Sequence, residues 1–167
     1  MTGEVQDWVK SCVERFPLKG AVLEVGSRDV CGNPRHHFND RERFPSYIGV
    51  DREAGNNVDL VIDANYLTPR SLSPYPRPNV IVCCEMIEHD QRFWESIERM
   101  ESVLEPGGYL LLTTRSWRGC PPHCVPHDYW RFLAEGLRVL MEQVGLACLE
   151  TVDCEQDGGV FAIGRKP

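Results

Sequence analysis

Ala21-Val22-Leu23-Glu24-Val25-Gly26-Ser27-Arg28-Asp29 is the stretch on which the fold turns. Its first five residues are a short apolar run that stops at a glycine, the pattern of a strand buried on both faces of a parallel sheet. Upstream, Val5, Trp8, Val9, Cys12, Val13 and Phe16 recur at helical spacing. They predict an amphipathic helix from about Val5 to Arg15, stopped by Pro17 and Gly20.

Downstream the strand pattern repeats. Tyr47–Asp51, Val58–Asp63, Asn79–Cys84 and Tyr109–Thr114 read as further strands. Phe93, Ile97, Met100 and Leu104 mark a helix from about Gln91 to Leu104, and Phe132, Leu133, Leu137, Leu140, Met141 and Val144 mark another, capped by Gly145. Asn33 to Pro45 reads as a short helix plus loop. Thr68 to Pro78 holds Pro69, Pro74, Pro76 and Pro78 and reads as a surface loop. Two strand-like runs close the chain, Ala147–Val152 and Val160–Ile163, with Asp157-Gly158-Gly159 as a hairpin signal between them. Alternating strand and helix predict an α/β fold: a mostly parallel sheet, helices on both faces, and an antiparallel C-terminal hairpin.

At 167 residues the chain is read as a single domain, 1–167. Residues 1–20 form its N-terminal helix and linker, and residues 116–130 a lid loop on the substrate side. The net charge of -7 argues against nucleic acid as a partner, because wide phosphate contact needs clustered Lys and Arg. No stretch reaches the roughly 18 apolar residues of a membrane helix, so no membrane insertion is expected. The N-terminus lacks the basic and apolar regions of a signal peptide, which predicts a cytoplasmic protein. In that compartment most of the eight cysteines read as reduced thiols packed as small apolar side chains.

In such a sheet ligands bind beyond the carboxyl ends of the strands, near the switch in strand order. The residues there are Glu24 to Gly32, Asp51, Asp63 and Ala64, Glu85-Met86-Ile87-Glu88-His89, and Arg115 and Ser116. With Leu104-Glu105-Pro106-Gly107-Gly108-Tyr109-Leu110 and Pro126-His127-Asp128-Tyr129-Trp130-Arg131-Phe132, these pieces in this order resemble a Rossmann-like class I S-adenosylmethionine-dependent methyltransferase. The compact type related to ubiquinone and menaquinone biosynthesis enzymes is the most similar.

The resemblance implies S-adenosylmethionine as cofactor. Glu24 and Gly26 would open the cofactor loop, with backbone N–H groups facing the methionine end. Asp51 would accept hydrogen bonds from the ribose hydroxyls, as an acceptor-only carboxylate can. Asp63 and Ala64 would border the adenine, and Glu85 and Met86 the ribose and sulfonium. The loop departs from the family pattern: Arg28 and Val30 stand where further glycines are common. Arg28 is a candidate partner for the cofactor carboxylate.

An imidazole can take a proton from a substrate hydroxyl near neutral pH, so His89 and His127, the latter with Asp128 beside it, are the candidate catalytic residues. Cys120, His123, Cys124 and His127 are zinc-ligand types, but proline-rich packing into one short loop argues against a shared ion, and no metal is expected. The expected activity is methyl transfer to a small-molecule or glycan acceptor, at a hydroxyl. Asp/Asn-Pro-Pro-aromatic and Pro-Cys motifs of base-modifying enzymes are missing. The alternatives are a non-catalytic binding protein that keeps the fold and a nicotinamide-dinucleotide dehydrogenase. The latter is disfavoured because Arg28 and Val30 block close approach of a pyrophosphate. Oligomeric state and acceptor identity are not written in the sequence.

Overall fold

The computed structural model describes residues 1–118, 127–154, 156 and 158–167. Its centre is one seven-stranded sheet in the order β3-β2-β1-β4-β5-β7-β6. The strands are β1 (Val22–Val25), β2 (Tyr47–Asp51), β3 (Leu60–Val61), β4 (Val80–Cys84), β5 (Tyr109–Arg115), β6 (Ala147–Cys154) and β7 (Gly159–Arg165). β1 to β5 pair in parallel, while β7 runs antiparallel to both β5 and β6. The predicted Rossmann-like α/β architecture with its antiparallel C-terminal hairpin is therefore the observed one.

Side chains alternate across a strand, and this sorts the core into two layers. Leu23, Val25, Ile81, Cys83, Leu110 and Leu112 face one side, where α2 (Phe93–Val103) and α3 (Ala134–Gln143) cover them with Ile97, Met100, Leu137 and Met141. Val22, Val80, Val82, Leu111 and Ile163 face the other, where α1 (Gly3–Arg15) lays down Val5, Trp8, Val9 and Cys12. Trp8 packs on Phe161 with ring centroids 5.4 Å apart. Leu→Ala substitutions at fully buried positions such as Leu110 or Leu137 would each cost about 2–5 kcal/mol.

Three expected elements differ in extent. β3 is two residues long rather than Val58–Asp63. The Asp59 carboxylate accepts from the Gly49 amide at 2.7 Å, in place of a strand carbonyl, and Asp63 caps a 3-10 turn at Ala64–Tyr66. α2 begins at Phe93, because Asp90 accepts from the Arg92 amide and holds residues 90–92 in a turn. Phe132 is not helical: it bridges to Ser116 beside β5, so α3 starts two residues later. The short helix in the polar segment after β1 is a 3-10 turn at Arg35–Phe38. The six described cysteines are free thiols, with Cys12, Cys83 and Cys84 buried. No described helix is long and apolar enough to cross a membrane.

Candidate active site

A cavity of about 660 Å³ opens where β1, β2, β4 and β5 end. β1 is flanked by β2 on one side and β4 on the other, so this is the switch point of the strand order. Glu24, Gly26, Arg28, Asp51, Asp63, Ala64, Glu85 and Met86 all line it, and so does His89.

The wall after β1 and β2 is made largely of backbone. Gly26 sits at φ +76, and a Cβ there would lie 2.6 Å from Met86 Cγ, so glycine lets Met86 pack against this turn. The amides of Gly26 and Ser27 both donate to the Val50 carbonyl, at 2.9 and 3.0 Å, and that of Asp29 to Asn56. This corrects the expectation that the first amides of the loop face the cofactor, since the end of β2 folds against them. Asp51 accepts from the Arg28 amide at 3.1 Å and from the Glu53 amide at 3.0 Å. One bond to each oxygen leaves about half of the carboxylate's four acceptor sites for a ligand. The Arg28 guanidinium is ion-paired with Glu53 at the cavity mouth, so a cofactor carboxylate would meet a competitor there.

Glu24 shares the α1 face with Val22, as alternation along β1 requires. It is buried, accepting from Tyr47 Oη at 2.9 Å and Asn57 Nδ2 at 2.6 Å. Burial pushes its carboxyl up to about 7, against the pull of those two hydrogen bonds. Its carboxylate thus ties the β1 and β2 loops together. Asp63 is engaged as a cap, accepting from the Asn65 amide at 2.9 Å, with Ala64 next in the turn.

The wall after β4 and β5 is made of side chains. Glu85 has φ +54, a left-handed conformation costly for a non-glycine residue, and is ion-paired with Arg115. Thr113 Oγ1 donates to it at 3.1 Å. Glu88 is fully buried; Thr114 Oγ1 donates to its Oε2 at 2.7 Å, while its Oε1 has no hydrogen-bond partner among the described residues. That oxygen lies 3.8 Å from His89 Nε2. Burial raises the Glu88 carboxyl to about 7, offset by the Thr114 bond. His89 Nδ1 donates to the His127 carbonyl, which fixes the neutral tautomer with its proton on Nδ1.

The predicted catalytic residues are not equivalent in placement. His89 lines the cavity. His127 reaches the site through its carbonyl, and its own ring lies against Tyr129, with centroids 5.7 Å apart. Asp128 is ion-paired with Arg131. Cys120, His123 and Cys124 lie outside the described residues. Sequence reasoning gave no role to Glu88, Asp90 or Arg115. Arg115 was flagged only by its place after β5, and nothing local marks Glu88 as the buried member of Glu88-His89.

A family model described as a methyltransferase domain matches residues 1–151. A search of curated proteins finds no match. Among solved structures, a chain of the complex between the Haloferax volcanii Trm112 methyltransferase activator and a putative methyltransferase is 13% identical, with a TM-score of 0.67, covering 100% of this chain and 99% of that one. A Clostridium acetobutylicum S-adenosylmethionine-dependent methyltransferase is 11% identical, with a TM-score of 0.70 and coverage of 99% and 92%. The N-methyltransferase NodS of Bradyrhizobium japonicum, in complex with S-adenosylhomocysteine, is 16% identical, with a TM-score of 0.67 and coverage of 98% and 88%. These likenesses are of fold.

Proposed function

The chain belongs to the methyltransferase-domain family, as a class I S-adenosylmethionine-dependent enzyme; from that premise we propose that it methylates a hydroxyl of a small-molecule or glycan acceptor, with His89 as the general base. The observation that carries this reading is the His89 ring at the edge of the cofactor cavity, with Nδ1 bonded to the His127 carbonyl and Nε2 beside the buried Glu88. A backbone acceptor on Nδ1 assigns the lone pair to Nε2. Glu88 Oε1 stands 3.8 Å from that nitrogen.

The cavity fits the cofactor. Asp51 keeps acceptor capacity at the end of β2, where ribose hydroxyls are held in such sheets. S-adenosylmethionine, when bound, supplies a methyl group already activated on a sulfonium. The chain's own work is alignment and handling of one proton. Asp51 would hold the ribose, Asp63 and Ala64 would border the adenine, and Glu85 and Met86 would flank the reacting end. Arg28 would reach the carboxylate only by leaving Glu53.

The test is transfer of label from methyl-labelled S-adenosylmethionine to a panel of hydroxyl-bearing and amine-bearing acceptors. Label should go to hydroxyls. His89→Gln should lower that rate by roughly 10²-fold or more while leaving S-adenosylhomocysteine affinity unchanged. Label on amines alone, or an undiminished rate in the variant, would refute the reading.

A further inference from the structure

Glu88 is fully buried, and its two carboxyl oxygens are treated unequally. Oε2 accepts from Thr114 Oγ1 at 2.7 Å, while Oε1 has no hydrogen-bond partner among the described residues. A buried acceptor left in that state costs about 1–3 kcal/mol, and more for a charged group. His89 Nε2 lies 3.8 Å from that oxygen. Because His89 Nδ1 donates to the His127 carbonyl, a neutral His89 carries a lone pair at Nε2 and no proton. An ionised Glu88 beside a neutral His89 therefore brings two acceptors together. A single proton serves both, whether it sits on Oε1 or on Nε2.

We propose that Glu88 and His89 form a dyad that holds one proton at rest, and that the proton-free dyad is the base for methyl transfer. The inference rests on the methyl-transfer reading and deepens it, by making Glu88 a positioning residue that acts through His89. His89 lines the cavity, so the dyad exchanges its proton there. In the step, the acceptor O–H proton passes to the dyad at Nε2 and the acceptor oxygen bonds to the methyl carbon. The carbon–sulfur bond breaks to leave neutral S-adenosylhomocysteine. The dyad ends the turnover in its one-proton form and returns that proton to solvent before the next.

Every element packed on the dyad bears on that proton. Burial is the largest influence on Glu88 and raises its carboxyl to about 7. From β5, the Thr114 hydroxyl and the Arg115 guanidinium pull it down. From the segment 127–132, Asp128, ion-paired with Arg131, pushes it up. On β4, the Cys83 thiol is held well above its ordinary value by burial and stays neutral. Within the turn itself Glu85 is ion-paired with Arg115, and Asp90 accepts from Asn65 Nδ2 and Ser96 Oγ. Two groups coupled in this way titrate as a pair, and the observed steps belong to the dyad rather than to either residue.

The test is an NMR pH titration of the His89 imidazole, with and without S-adenosylhomocysteine, its signal identified by its loss in His89→Gln. The parent signal should move in two steps, separated by about one pH unit or more. Glu88→Gln keeps the shape but cannot ionise. It should leave one step, lower than the parent's upper step by about one pH unit or more. Thr114→Val deletes only the donor to Oε2. It should move the upper step to higher pH, and it keeps the question answerable if Glu88→Gln fails to fold. A Glu88 with a merely structural role would lower Tm in these variants and leave the His89 titration where it was. An unchanged His89 titration in either variant, or a single step in the parent, would overturn the proposal. Failure of S-adenosylhomocysteine to bind is read separately, because the titration also runs on the free protein, and it tells against the methyl-transfer reading instead.

Discussion

At the ends of β1 and β2, Asp51 is gripped by the amides of Arg28 and Glu53, and Gly26 is kept bare so that Met86 can pack against it. Across the cavity, the ends of β4 and β5 carry Glu85 against Arg115, and Glu88 against Thr114 and His89, with the extended segment 127–132 laid over them. The first wall pairs backbone amides at the strand ends with the carboxylates of Asp51 and Glu24, which tie its loops together. The second depends on which side chains happen to meet. A cofactor common to a family suits the first kind of wall, and an acceptor peculiar to one enzyme suits the second. Each wall holds one buried carboxylate, Glu24 in the first and Glu88 in the second, but the second adds the largely buried Glu85–Arg115 pair, and a desolvated ion pair is costly enough that its place at a cavity points to use rather than to stability.

The sharpest way to break this division is to exchange readouts across it. Asp51→Ala should weaken S-adenosylhomocysteine by roughly 1.5–3 kcal/mol, the range for charge-assisted hydrogen bonds. Glu88→Gln should leave that affinity within about twofold, since Glu88 does not line the cavity. Calorimetric titration decides, and comparable losses from the two substitutions would show that the walls are not separate.

A smaller effect tests what the walls share, because each holds one carboxyl raised by burial to about 7, Glu24 in the first and Glu88 in the second. Both sit above the usual 4.5, so between about 4.5 and about 7 the folded protein binds more protons than the unfolded chain. Their contribution is complete below the unfolded value and is lost as pH rises through the folded one. His37, lowered mainly by burial, works in the opposite direction. The fall in Tm from pH 5 to pH 8 should therefore shrink in Glu24→Gln and in Glu88→Gln by similar amounts. A fall unchanged by either substitution would mean that these carboxyls ionise freely.

The smallest effect is expected at Arg28. Its pair with Glu53 is about half exposed on both sides, and such pairs contribute about 0–1 kcal/mol. Arg28→Ala should leave Tm almost unchanged and lower S-adenosylhomocysteine affinity by less than about threefold. A tenfold loss, absent with adenosine, would show that the guanidinium leaves Glu53 for the cofactor carboxylate.

The sequence by itself determined the sheet, its helices and the residues that end its strands. These follow from local periodicity and from the alternation of apolar runs with turn residues, which is why Gly26, Asp51, Asp63 and Glu85 could be placed at the cavity before any coordinates. It misjudged β3, because the Asp59 carboxylate replaces a ladder carbonyl, and a side chain standing in for backbone leaves no trace in hydrophobic period. It also assigned His127 and Asp128 by type and adjacency. Only tertiary structure decided that His127 offers its carbonyl, that Asp128 is held by Arg131, and that Glu88 is the buried carboxylate behind His89. The first of those facts joins the turn after β4 to a segment about 40 residues away. No local pattern encodes a meeting at that range, because its energy comes from desolvated charges and hydrogen bonds that exist only once the sheet has closed.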